Sequence, residues 1–204
     1  MILSHKYKYI CLNPPKTGTC FRENLFCDFN FSIGEVSDDD PVYPNKDPIV
    51  SNAHGNIEDA TKEFKNVDFK EYFKFTFVRN PWERFFSYFK YMYEKPSELT
   101  IENFKQLVYE MKNYQPEEFA PLRPQAYWFL DKGRISVDFI GCTENMKSDL
   151  KFISNKLNLN LKIPTKKINK SIDYLDKKNF YTQELIDIVA ELEKDVIKLK
   201  NYTF

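Results

Sequence analysis

Two segments of the chain join a cation to glycine or hydroxyl residues where an apolar run breaks into helix-like sequence. The first is Asn13-Pro14-Pro15-Lys16-Thr17-Gly18-Thr19-Cys20. The second runs from Phe77 through Val78, Arg79, Asn80 and Pro81 to Arg84, Ser87 and Tyr88. Strand-to-helix turns of this composition suit an anion, because the first amides of a helix lack partners within it and carry partial positive charge. Lys16 and Arg79 each add a full charge, Gly18 lets the backbone approach a ligand closely, and Thr17, Thr19 and Ser87 offer hydroxyls. Two such turns suggest one ligand with phosphate or sulfate at both ends. Taken alone, Lys16 reads equally well as a lysine beside an ordinary turn.

A magnesium-dependent phosphate loop places its lysine after the glycines and ends in Ser or Thr. Here the lysine comes first, and no Gly-Lys-Ser or Gly-Lys-Thr occurs in the chain, which argues against a conventional P-loop NTPase. For proton transfer the chain offers two histidines, His5 and His54. His54, in Asn52-Ala53-His54-Gly55-Asn56, is the candidate general base, since imidazole exchanges protons near neutral pH. Its alternative reading is a cap or packing residue at the start of a helix. Glu23 and Glu58 are the fallback bases, and His5 reads as structural. Cys11, Cys20, Cys27 and Cys142 show no metal-ligand spacing and read as reduced thiols.

The elements that must hold these groups follow from periodicity and punctuation. Strands are expected over 7–12, 72–78 and 135–140, each apolar and rich in β-branched or aromatic residues. Helices are expected over 19–28, 56–64 and from Pro81 to about 94, the last opened by Asn80 as cap and proline at the first helical position. Others start at Thr100 and at Thr143, a short one covers 125–130, and one amphipathic helix spans 182 to about 200. Residues 30–52, broken by Gly34, Pro41, Pro44 and Pro48, read as a long irregular loop. Strands alternating with helices argue for an α/β fold with a mainly parallel central sheet flanked by helices, in one domain over 1–204.

Composition narrows the function classes. Thirty basic residues balance thirty acidic ones, so no global field gathers nucleic acid and any anion site must be local. No run of eighteen apolar residues and no secretory pattern is present, which points to a cytoplasmic protein without membrane partners. Oligomeric state is not encoded in any readable pattern.

The pair of motifs resembles the sulfotransferase superfamily, whose donor is 3′-phosphoadenosine-5′-phosphosulfate (PAPS), and within it the carbohydrate-type, family-2-like branch. Pro15-Lys16-Thr17-Gly18-Thr19 is similar to the 5′-phosphosulfate loop. Arg79 and Ser87, within Arg-Asn-Pro-x-x-Arg-x-x-Ser-x-Tyr, are similar to the 3′-phosphate site. Phe139-Ile140-Gly141 with Glu144-Asn145, and Asn201-Tyr202-Thr203-Phe204, extend the resemblance over nearly the whole chain. It implies a P-loop-like sulfotransferase fold and metal-independent transfer of a sulfuryl group from PAPS, leaving 3′,5′-ADP. The acceptor would be a hydroxyl on a carbohydrate or small metabolite. Lys16 would be catalytic at the 5′-phosphate with His54 as base, and Thr17, Gly18, Thr19 and Cys20 would add amides and a hydroxyl. Arg79 and Ser87 would hold the 3′-phosphate. The rival readings are an inactive nucleotide-binding module and an atypical phosphotransferase.

Cys20 departs from the family pattern, where Ser or Thr is usual, but keeps the amide. Cys142-Thr143 stands where relatives carry an arginine before Glu-Asn. Lys166, Lys167 and Lys170 read either as a lid over the cofactor or as a solvated loop. Gln125 and Trp128 resemble an acceptor-facing Gln-x-x-Trp element. Arg84 reads as a structural arginine paired to a carboxylate in preference to a ligand contact.

Overall fold

The computed structural model describes residues 1–26, 47–51, 54–93, 95–113, 122–163 and 175–204. Most of the long loop, Cys27 and the lysines at 166, 167 and 170 lie outside these residues. A five-stranded sheet holds β1 (Ile2–Ser4), β2 (Tyr9–Leu12), β3 (Ile49–Val50), β4 (Phe73–Val78) and β7 (Phe139–Cys142) in the order β3-β1-β2-β4-β7. A separate two-stranded ribbon pairs β5 (Leu130–Asp131) with β6 (Arg134–Ile135).

The sheet is mixed, which corrects the expectation of a mainly parallel one. β2, β4 and β7 pair in parallel, in the registers Cys11↔Phe75↔Phe139 and Leu12↔Thr76↔Ile140. β1 runs antiparallel to both β2 and β3. The cause lies in residues 5–8, which connect β1 to β2 too tightly for a parallel crossover. Asp47 fastens that turn, accepting hydrogen bonds from Ser4 Oγ at 2.6 Å and from the amides of His5 and Lys6. His5 Nδ1 lies 2.7 Å from the Tyr72 hydroxyl, so this histidine belongs to the turn.

The alternation along β4 sorts the core. Phe75 and Phe77 join Ile2, Tyr9 and Cys11 on one face, covered by α1 (Thr19–Phe26) and α5 (Met146–Lys156). Val78 joins Leu3, Ile10 and Leu12 on the other, against Ala60 of α2 (Ile57–Glu63) and the 3₁₀ turn Gln125–Trp128. α3 (Pro81–Met92), α4 (Ile101–Lys112) and α6 (Gln183–Leu192) build a second core in which Phe85, Phe86, Phe89, Phe104 and Phe180 meet.

Three expected elements are redrawn. Residues 135–140 contribute to two strands, β6 and β7, because residues 136–138 leave one sheet before the next begins. Thr143 does not cap the following helix; a 3₁₀ turn Thr143–Asn145 precedes α5. The C-terminal amphipathic stretch splits at Glu193 into α6 and α7 (Lys194–Lys200). Among the described residues, no helix is long and apolar enough to cross a membrane.

Candidate active site at the carboxyl ends of the parallel strands

The three parallel strands end side by side, and each opens into a loop that leads to a helix. Ligand sites in α/β sheets form at this edge. Residues 13–18 follow β2, Arg79 and Asn80 follow β4, and Thr143 follows β7. Thr143 Oγ1 lies 3.1 Å from both the Thr17 carbonyl and the Val78 carbonyl, so one hydroxyl ties the three loops together.

The first loop is shaped from inside by a residue that sequence reasoning missed. Arg22, fully buried on α1, donates from Nε and NH2 to Asn13 Oδ1 at 3.2 and 3.0 Å, from NH1 to the Thr17 carbonyl, and from NH2 to Thr17 Oγ1 at 3.1 Å. Its guanidinium lies 4.7 Å from the centroid of Phe77. The only signal for this role is the i+4 spacing from Gly18, which places Arg22 a turn into the helix beneath the loop. Lys16 and Gly18 adopt positive φ values of 65° and 83°. At Gly18 a Cβ would come within 2.9 Å of Met146 Cε. Thr17 and Thr19 turn their hydroxyls onto the Pro14 carbonyl, at 2.7 and 3.0 Å. The hydroxyl protons therefore brace the loop, and the first-turn amides of α1 have no partner within the helix.

Lys16 extends from this loop and sets its ammonium 4.3 Å from the centroid of Tyr91 on α3. Burial pushes its pKa down, and the charges of Arg79 and Lys90 push it further in the same direction. Arg79 donates from NH1 to the Lys16 carbonyl at 3.3 Å, which brings its guanidinium to the first loop. Burial also lowers the Arg79 pKa, opposed by Glu83 and Glu144. The Arg79 backbone is held at both ends by one side chain. Its amide donates to Gln125 Oε1 at 2.8 Å and its carbonyl accepts from Gln125 Nε2 at 3.0 Å. Gln125 is thus buried behind Arg79, and not at an acceptor surface. Trp128 is likewise buried and donates from Nε1 to the His54 carbonyl at 3.1 Å.

Arg84 has the carboxylate expected of a structural arginine. Its NH1 lies 2.7 Å from Glu193 Oε1, with both side chains essentially inaccessible at 0% and 1% exposure. Arg84 also donates to the carbonyls of Pro15 and Arg123 at 3.0 Å, while Glu193 Oε2 accepts the Gln125 amide at 2.9 Å. Burial raises the Glu193 pKa, and Arg84 and the Gln125 amide pull it back. The helix break at Glu193 is what turns this carboxylate inward.

Ser87 is partly exposed on α3, one turn before Tyr91. Cys20 is exposed in the first turn of α1. His54 lies 2.7 Å from the Asn13 carbonyl through Nδ1. A carbonyl can only accept, so Nδ1 carries a proton, and in the neutral ring the lone pair is then on Nε2. Glu23 receives Asn13 Nδ2 at 3.4 Å, whereas Glu58 is turned to solvent in an ion pair with Lys62. The structure therefore gathers Lys16, Thr17, Gly18, Thr19, Cys20, Arg79 and His54 around the β2 and β4 ends and sets Glu58 apart from them.

A model of the sulfotransferase family matches residues 1–199. The chain belongs to the sulfotransferase family. No curated protein and no solved structure matches it significantly. The motifs the family resemblance rests on take two different roles in this sulfotransferase. The Lys16 loop and Arg79 line the opening. Glu144 and the C-terminal residues support it from outside. Glu144 accepts the Asn80 amide at 2.7 Å and the Tyr202 hydroxyl at 2.9 Å, and Asn80 Nδ2 donates to the Thr203 carbonyl at 2.8 Å.

Proposed function

We propose that this chain is a single-domain sulfotransferase that moves a sulfuryl group from PAPS to an acceptor hydroxyl on a carbohydrate or small metabolite. One observation carries the reading. Lys16 and Arg79 converge at the ends of adjacent parallel strands, half-buried, each with its charged form disfavoured by desolvation, and Arg79 depresses Lys16. Two cations whose charges oppose each other, only Arg79 of them offset by a carboxylate in Glu83, suit a multiply charged anion. The donor set fits PAPS, with the Lys16 loop amides at the 5′ end and Arg79 with Ser87 at the 3′-phosphate.

PAPS supplies an activated sulfuryl group on a phosphate leaving group. Lys16 and the amides of Thr17 to Cys20 stabilise the negative charge that grows on that phosphate, and stabilisation there counts in the transition state more than in the ground state. His54, with Nδ1 fixed on the Asn13 carbonyl, offers Nε2 to take the proton of the acceptor hydroxyl. Arg79 is anchored through its backbone by Gln125, which leaves its side chain to orient the donor.

Calorimetric titration with 3′,5′-ADP, against ATP with Mg²⁺, tests the reading. Metal-independent binding of 3′,5′-ADP that is lost in Arg79→Ala supports it. Binding of ATP with Mg²⁺ alone, or of neither, overturns it.

A further inference from the structure

Glu83 puts a carboxylate where an anion site should not want one. It sits on α3 one turn after Arg79, and its Oε2 lies 3.6 Å from Arg79 NH2. That separation is beyond hydrogen-bond range. Its other oxygen, Oε1, lies 2.9 Å from Lys177 Nζ. Lys177 comes from the 3₁₀ turn Lys177–Asn179, which Asp176 caps by accepting the Lys178 amide at 3.0 Å. Its side chain is 16% exposed, and its ammonium lies 4.8 Å from the centroid of Phe204. Phe204 is itself wedged edge-on against Trp82 and Tyr181, at 5.9 and 5.1 Å. Lys177 is therefore a fixed charge, and Glu83, with 40% exposure, is the most exposed side chain of the three.

We infer that Lys177 is a positioning residue for the anion site: it draws the Glu83 carboxylate off Arg79 and keeps that guanidinium open to phosphate. The inference rests on Arg79 being a phosphate ligand. Without Lys177, the cation left within ion-pair range of Glu83 among the described residues is Arg79, one helical turn away. Glu83 would then close on Arg79 as an internal competitor of the ligand. With Lys177 in place, Glu83 is neutralised and the pair adds little net charge to the site. The same arrangement favours a phosphate dianion over a singly charged anion, because the dianion outcompetes the half-released carboxylate more strongly.

The test is a double-mutant cycle on 3′,5′-ADP affinity, measured by calorimetry in wild type, Lys177→Met, Glu83→Gln and the double variant. Methionine keeps the packing against Phe204 and removes only the charge. The expected loss in Lys177→Met is roughly two- to fivefold, the scale of one partly exposed charge contact. Glu83→Gln should bind as tightly as wild type or tighter, and the double variant should recover wild-type affinity. Wild-type affinity in Lys177→Met overturns the inference. So does a loss that persists in the double variant, because that would make Lys177 a direct ligand or a purely structural residue. If Lys177→Met does not fold, Glu83→Gln still decides: weaker binding overturns the inference, and equal or tighter binding supports it. Failure of the wild type to bind 3′,5′-ADP, or full binding in Arg79→Ala, would instead overturn the phosphate reading on which this one stands.

Discussion

The ammonium of Lys16 lies 4.3 Å over the ring of Tyr91, a side chain that is itself 65% exposed. Lys16 is thus held across the opening between the first loop and α3, against an aromatic face and opposite two other cations, Arg79 and Lys90. A lysine with a depressed pKa and, among the described residues, no carboxylate in ion-pair range is poised to accept an anion, because the anion supplies the missing counter-charge.

That arrangement sets a pH dependence. Lys16 titrates below the ordinary lysine value of 10.5 because of burial and its cationic neighbours. A bound anion favours the charged form and raises that pKa. The affinity for 3′,5′-ADP should therefore be constant while Lys16 is protonated in the free protein. It should fall by up to tenfold per unit as pH rises through the free-state pKa. For stability the sign is opposite. The unfolded chain keeps the proton up to 10.5, so the folded state gains from Lys16 as pH rises through this interval. Calorimetry from neutral to alkaline pH checks the binding slope, and Lys16→Ala should flatten it. In turnover, Lys16→Ala should lose ~100–1,000-fold, the usual scale for one charge-stabilising donor.

The His54 contact separates chemistry from binding. Nδ1–H is committed to the Asn13 carbonyl at 2.7 Å, and the backbone of His54 is pinned by Trp128. Replacing the imidazole removes Nε2 and leaves the cation pair of Lys16 and Arg79 in place. His54→Ala should therefore lower turnover by ~100–10,000-fold while leaving 3′,5′-ADP affinity within about twofold of wild type. Near-wild-type turnover would remove His54 from the mechanism.

How far the sequence could be read divides along local and long-range lines. The loop around Lys16, the Asn80-Pro81 start of α3 and the strand β4 were legible because each is written in adjacent residues: a cap, a proline at the first turn, an apolar run. Asn80 does accept the Glu83 amide, at 3.3 Å. The β1–β2 hairpin was missed because Ile2–Ser4 is only three residues long and is completed by Asp47, 43 positions away. Glu193 falls inside the single amphipathic helix expected over 182 to about 200, and nothing local marks a carboxylate that Arg84 claims from 109 residues away. Thr143 looked like a cap for the same reason. A lone Ser or Thr before a helix is a fair capping signal, yet here its hydroxyl lies against the carbonyls of Thr17 in the first loop and Val78 in β4. Gln125 resembled an acceptor residue, whereas tertiary contacts assign it to the backbone of Arg79.

Gly141 makes a packing prediction. It lies in β7 beside β4, and a Cβ added there would sit 2.5 Å from Phe77 Cε1. Phe77 cannot withdraw easily, because its ring is fully buried, stacked under the Arg22 guanidinium and edge-on to Phe75 at 6.4 Å. Gly141→Ala should destabilise by about 1–3 kcal/mol through overpacking. In a chain of this size that is roughly 2–4 °C of melting temperature per kcal/mol. Because Phe77 carries Arg22 and Arg22 shapes the first loop, 3′,5′-ADP affinity should fall with it. Thermal melts and titrations of the same preparation check both effects. Unchanged stability would show that the ring can shift at no cost.

The Arg84–Glu193 pair supplies the sharpest stability test. Both side chains are buried, and between them they hold the Pro15 carbonyl, the Arg123 carbonyl and the Gln125 amide. Removing one partner strands a buried charge, so Arg84→Met or Glu193→Leu alone should cost about 3–5 kcal/mol. Replacing both with apolar residues removes the stranded charge and should recover much of that loss, although three backbone groups then lose a hydrogen-bond partner, at about 1–3 kcal/mol for each that stays dry. The double variant should accordingly be more stable than either single variant and still less stable than wild type. Its affinity for 3′,5′-ADP should remain low even where the fold is restored, since Gln125 loses the carboxylate that holds its amide and Arg79 takes its position from Gln125. Chemical denaturation of the three variants beside ligand titration separates the two effects. Full recovery of both stability and affinity in the double variant would show that the pair does not position the site.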